Sequence, residues 1–186
     1  PQIATALQAA PAGVKAHHSY RGGLLAHVVE MMYLADGISE RYAHVDRDLL
    51  LLGAMLHDIG KLEELLFEDE MTYSDPGQLL GHLVQGVRML DRKLPAIEDR
   101  LGSKLDEAML WRIQHMIVSH HGSLEHGSPR VPMTLEAIVL HAIDDMDAKL
   151  NAATELIRQD FNTDSDWTTF NPMLGRKLYK PSDLGR

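Results

Sequence analysis

The 186-residue sequence contains no cysteine. That excludes disulfides, thiolate zinc sites and cysteine nucleophiles. Aromatic residues are scarce, at 5%. Basic residues are outnumbered, 18 Lys and Arg against 27 Asp and Glu, for a net charge of −9. A passive nucleic-acid coat protein is usually basic, and a track for single strands needs stacked aromatics beside cations. Any attraction to phosphate must therefore be local, where a metal or a few basic residues reverse the sign. Long apolar runs are also missing. The longest, around Leu49–Leu56, is far too short to span a bilayer, so no membrane partner is expected. No signal-peptide pattern opens the chain, and a cytoplasmic location is expected. No glycine-rich phosphate loop occurs. No segment alternates with period two, and there is no internal repeat.

What is present suits a globular protein: 45% hydrophobic and 24% charged residues, in a length that holds one domain with a sizeable core. Residues 1–20 read as a short lead-in with a Pro-Gly break. Residues 22–42 carry Leu24, Leu25, Val28, Val29, Met32 and Ala35 at helical spacing. Asp46 or Asp48 can cap a second helix through Leu49–Leu56, ending near Gly60. Residues 63–77 are acidic and end in SDPG, a turn signal. Helices are expected over 78–94, 104–121 and 134–159, the last capped by Thr134, with a loop at 122–133 and an irregular tail over 160–186 that packs on the body. The expectation is an all-α protein, one domain of roughly six to eight helices around one core. The chain starts at Pro1 without methionine, so it is read as a piece of a longer protein or a processed product.

Histidine is the unusual feature, 11 in 186 residues. In MLHDIGK, residues 55–61, a histidine and an aspartate follow a long apolar run. Burying the Asp58 carboxylate there is costly unless something pairs with it, and a metal ion is the expected partner. His27, His57, Asp58, His82, His120, His121 and Asp144 each lie among apolar residues: LLAHVV, MLHDIG, LLGHLV, IVSHHG, LHAIDD. Facing helices of a bundle can bring such groups to one point. Imidazole and carboxylate without thiolate suit a divalent transition metal, Mn²⁺ foremost, with Fe, Co, Ni or Zn as the other fits. His17, His18, His44, His115 and His126 are read as ordinary core or surface histidines. His141 lies one turn before Asp144 and Asp145 and is read as support or core. Spacing alone does not choose between Asp144 and Asp145.

The order His27, His57-Asp58, His82, His120-His121, Asp144 resembles the HD superfamily of metal-dependent phosphohydrolases, over roughly residues 17–158. Within it, HHSYRGGLLAHV, RDLLLLGAMLHDIGK, LLGHLVQG, HMIVSHHGSLEHGSP and EAIVLHAIDDMDAKLN look like the HD domain of bacterial 3′-to-5′ exoribonucleases of the YhaM type. The tail WTTFNPMLGRKLYKP is also similar to that group's C-terminus. The resemblance implies one HD domain over 1–186, with a core at about 17–158 and a tail at about 160–186, lacking an N-terminal OB-fold of the parent chain. It implies one ion held by His27, His57, Asp58 and Asp144, and a second held by His82, His120 and His121 with Asp58 bridging. It is the resemblance that selects Asp144 over Asp145.

The reaction expected from this set is phosphoester hydrolysis, with Asp58 orienting or bridging the nucleophile. Lys61, one turn after His57, can place a cation near a non-bridging oxygen; as a helix-end residue in solvent it would do nothing of the kind. Arg130 in the GSPR loop and Arg21 ahead of His27 are candidate substrate-phosphate ligands. Three readings follow: an exoribonuclease domain for single-stranded RNA 3′ ends, a phosphohydrolase of nucleotides or cyclic nucleotides, or a non-catalytic, metal-stabilised regulatory module. Intact candidate ligands at all seven positions speak against the third. A homo-oligomer is left open.

Overall fold

The structure is a computed structural model that describes residues 2–13, 20–67, 71–172 and 174–181. Its order is α1 (Gln2–Ala9), α2 (Gly23–Arg41), α3 (Arg47–Leu56), α4 (Lys61–Glu64), β1 (Leu65–Leu66), β2 (Thr72–Tyr73), α5 (Asp75–Leu101), α6 (Glu107–Ser119) and α7 (Leu135–Arg158). It is a helical architecture, as expected. The chain divides into two compact units, Pro1–Asp145 and Met146–Arg186, with the division inside α7. Among the described residues no helix is long and apolar enough to cross a membrane.

The core of the first unit explains its helices. Met31 and Ala35 of α2, Leu49, Leu50 and Ala54 of α3, Ile113 and Met116 of α6, and Ala137, Leu140 and Ile143 of α7 form one buried cluster. These are the stripes that helical spacing marks, and each large aliphatic side chain so buried contributes roughly 1.5–3 kcal/mol. Capping sets the boundaries. The Asp46 carboxylate accepts from Leu49 N–H, the Asp106 carboxylate from Met109 N–H and Thr134 Oγ1 from Ala137 N–H.

Five expectations need correction. The lead-in at 1–20 contains a helix, α1, followed by fully buried Ala10 and Pro11. Ala10 packs with Leu24 and Val28 of α2, so this segment supplies core. SDPG is not a turn but the start of α5: Ser74 Oγ accepts from Gly77 N–H, and Pro76 lies in the first turn, where a missing N–H costs nothing. That helix also runs on to Leu101 through Pro95. The acidic stretch holds a two-stranded antiparallel hairpin, Leu65 opposite Tyr73 and Leu66 opposite Thr72, too short to show alternation. Finally, His57 and Asp58 stand not on the helix but in the turn over 57–60 that follows α3. Gly60 lets this turn touch α5, since a Cβ there would lie 2.0 Å from the His82 carbonyl oxygen. His17 and His18 lie outside the described residues.

The second unit is tied to itself. The Asp160 carboxylate accepts from the Thr169 N–H and hydroxyl and from Asn162 N–H, and it pairs with Lys180. Trp167 and Tyr179 meet edge to face with centroids 5.4 Å apart. Two cations of the tail are used locally, Lys180 on Asp160 and Asn162 and Arg176 on the Leu174 carbonyl.

Candidate metal centre

All seven candidate ligands meet within the first unit. His27 comes from α2, His57 and Asp58 from the turn after α3, His82 from α5, His120 and His121 from the residues that follow α6, and Asp144 from α7. His27, His57, Asp58 and His120 are all buried. Three sets bring their ligand atoms within 4.8 Å of one another: His27–His57–Asp58, His82–His120–His121 and His57–His120–Asp144. The first holds three of the four residues that the resemblance assigns to one ion, the second holds the three it assigns to the other, and the third takes residues from both.

The ring orientations follow from local hydrogen bonds. Nδ1 of His57 lies 2.9 Å from the Ala54 carbonyl, Nδ1 of His120 2.8 Å from that of Ile117, and Nδ1 of His121 2.9 Å from that of His126. Nδ1 of His82 lies 3.1 Å from Glu64 Oε2. These oxygens accept only, so each Nδ1 carries the proton and each Nε2 presents a lone pair. Nε2 of His82 and Nε2 of His121 then face each other at 3.1 Å. Two facing lone pairs are unfavourable unless a cation lies against both.

Asp58 stands between the two histidine groups. Its Oδ2 lies 3.6 Å from His57 Nε2 and 3.7 Å from His27 Nε2, and its Oδ1 lies 3.4 Å from His82 Nε2 and 3.6 Å from His120 Nε2. Lys61 donates to Oδ2 at 2.6 Å, whereas buried Oδ1 has no hydrogen-bond partner among the described residues. Asp144 Oδ1 lies 3.4 Å from His27 Nε2 and 3.9 Å from His57 Nε2.

Electrostatics keep these groups in the protonation states that metal ligands need. Burial lowers the pKa of His57 and takes that of His120 down to about 4. Burial and neighbouring His82 lower His121. For the carboxylates burial pushes upward but is outweighed. Lys61 and His57 hold Asp58 well below the usual carboxylate range, and His27 and His57 bring Asp144 to about 2. Burial works against the Lys61 ammonium, yet the Asp58 charge raises its pKa. At neutral pH the His57, His120 and His121 imidazoles are neutral and both carboxylates are charged. An all-nitrogen-and-oxygen donor set with an orphaned carboxylate oxygen fits a divalent transition metal.

Arg21 and Arg130 are exposed, and no hydrogen bond or ion pair joins either to the cluster among the described residues. His141 donates from Nδ1 to the His120 carbonyl at 2.8 Å, which holds the backbone between the two histidines. His115 Nε2 accepts from Met133 N–H, and His44 and His126 are exposed. Glu64 is the contact that the sequence reading missed. It disappears among acidic neighbours in KLEELLFEDE, and the only signal was its position one turn after Lys61.

Fold and site define a mainly helical domain built around a shared histidine–aspartate centre, and the chain belongs to the HD-domain superfamily. The HD domain family matches residues 24–149. The chain is 38% identical over 175 residues to the 3′-5′ exoribonuclease YhaM of Bacillus pumilus strain SAFR-032, and 39% identical over 175 residues to that of Bacillus subtilis strain 168. Each alignment covers 92% of this chain but 52% of the relative, so the chain spans about half the length of the curated relatives it matches. No solved structure matches it.

Proposed function

We propose that this domain is a metal-dependent phosphodiesterase that removes nucleotides from the 3′ end of single-stranded RNA. The observation that carries the reading is Asp58, whose two oxygens face two separate histidine groups while Oδ1 stays buried without a hydrogen bond among the described residues. His27, His57, Asp58 and Asp144 would hold one ion, and His82, His120 and His121 a second, with Asp58 shared. Bound there, divalent ions (Mn²⁺ first among the fits) supply a water of lowered pKa and neutralise charge on the phosphoryl oxygens. The protein's part is to fix the ligands. Nδ1 bonds orient the imidazoles, and Lys61 holds one Asp58 oxygen while keeping a cation at the edge of the site. Arg21 and Arg130, both exposed, would meet substrate phosphates farther out.

The relatives act as exoribonucleases by name, and a local cavity suits a nucleotide end. A pocket of about 350 Å³ opens beside His82 and His121, with Leu80, Leu83, Val84 and Pro129 in its wall. Glu64 and His126 also line the wall, and the imidazole faces offer a base a sequence-tolerant stacking surface. In the parent chain an OB-fold would add affinity for the strand, and the compartment would be the cytoplasm.

The test is digestion of a 5′-labelled single-stranded RNA with Mn²⁺. A ladder shortening from the 3′ end is expected. Hydrolysis of mononucleotides or cyclic nucleotides with RNA left intact would transfer the assignment to small substrates. A 3′-terminal abasic residue should be removed about tenfold more slowly than a normal one, from the lost base contact. Equal rates would show that the pocket takes no base.

A further inference from the structure

We infer that Glu64 is a positioning residue that sets the affinity of the second metal position, the one formed by His82, His120 and His121. The inference rests on the two-ion reading above.

Among the histidines of the cluster with a described Nδ1 partner, three donate to neutral backbone carbonyls, those of Ala54, Ile117 and His126. His82 alone donates to a carboxylate. Glu64 is itself buried, at 8% exposure, and is held by its own backbone, whose carbonyl accepts from Ser74 N–H at 2.9 Å. Its Oε1 makes a second bond, accepting from the backbone N–H of His82 at 3.0 Å.

That second bond depends on a break in α5. Gly81 has φ 69° and ψ 164°, a conformation that side chains strongly disfavour. The residue after it, His82, turns both its N–H and its Nδ1 toward the same carboxylate. Ring position and backbone position of His82 are thus fixed by one group, and its Nε2 is left facing His121 Nε2 and Asp58 Oδ1.

A carboxylate behind an imidazole does more than orient it. The shared proton moves toward the carboxylate, which makes the opposite nitrogen a stronger donor to a cation. Losing such a partner typically weakens metal binding 10–100-fold. No hydrogen bond or ion pair joins Glu64 to a ligand of the first position among the described residues. Removing its charge should therefore separate the two positions.

The experiment is titration of the metal-free protein with Mn²⁺, followed by electron paramagnetic resonance and by calorimetry. The unmutated protein is expected to bind two ions and give a spin-coupled pair signal. Glu64→Gln keeps the size and one acceptor. It should bind the first ion unchanged and the second 10–100-fold more weakly, with the isolated six-line signal persisting where the pair signal was. A Glu64→Gln protein with both affinities unchanged overturns the inference alone. A wild-type protein that takes up a single ion overturns the two-ion reading and the inference with it. A measurement without any substitution guards against misfolding. In the Zn²⁺-loaded protein the Nδ1 proton of His82 should resonate downfield of those of His57, His120 and His121, because its acceptor is charged. Equal positions overturn the inference.

Discussion

Replacing Asp58 by asparagine should lower phosphodiester hydrolysis by about 1000-fold or more, because it removes a negative charge and a ligand whose two oxygens face the two histidine groups. Both Asp58 oxygens are committed: Oδ2 to Lys61 at 2.6 Å and toward His27 and His57, Oδ1 toward His82 and His120. Asparagine keeps the shape but offers an amide N–H₂ on one side. With its oxygen toward Lys61, asparagine would turn the N–H₂ to the His82 and His120 side, where it has no lone pair to offer a cation. Metal uptake should fall with activity. An Asp58→Asn protein that binds two ions and hydrolyses RNA at the wild-type rate would sink the proposed mechanism.

A second consequence must be separated from the first. Lys61 lies nearly buried beside Asp58, and its raised pKa depends on that charge. Removing one member of a buried pair leaves the other uncompensated, at a cost of up to about 3–5 kcal/mol. Asp58→Asn therefore loses stability as well as activity. The double substitution Asp58→Asn with Lys61→Met removes both charges and should recover most of the lost stability in thermal melts while staying inactive. Recovery of activity in the double variant would mean that the single variant failed by unfolding.

The sequence displays these features unevenly. The long helices were legible because their buried residues recur at helical spacing: Met31 and Ala35, Leu50 and Ala54, Met116, Leu140. The histidine cluster was legible because each candidate interrupts an apolar stretch, which needs a physical reason. What escaped depends on contacts distant in sequence. Glu64 reads as one acid among several until the Gly81 break brings His82 against it. Ala10 and Pro11 read as lead-in because only docking on α2 makes them core. His57 and Asp58 seemed to continue a helix, since nothing local says that the turn over 57–60 must press against α5.

The largest response to conditions should come from metal and acid together. Saturating both positions at about 100 times each dissociation constant stabilises the folded chain by about 5 kcal/mol, which for a protein of this size is a rise of about 10–20 °C in melting temperature. Chelation should remove that rise. In the metal-free protein acid then acts through the buried ligands. The His120 imidazole has a pKa of about 4 when folded and about 6.5 when unfolded. Between those values the unfolded chain binds the extra proton, so stability falls as pH is lowered. His120 contributes a loss of about 3 kcal/mol, complete near pH 4. His57 and His121, also lowered by burial, act in the same direction. Asp144, held at about 2, extends the decline: its stabilisation is present above pH 3.9 and is lost as pH falls toward 2. Thermal melts in chelator at pH 7.5, 6 and 4.5 should show melting temperature falling monotonically. The Mn²⁺-dependent rise should fade over the same range as protons compete for Nε2. A metal-free protein equally stable at pH 7.5 and 4.5 would show that these histidines take up protons freely when folded, and the preset neutral ligands would be lost from the argument.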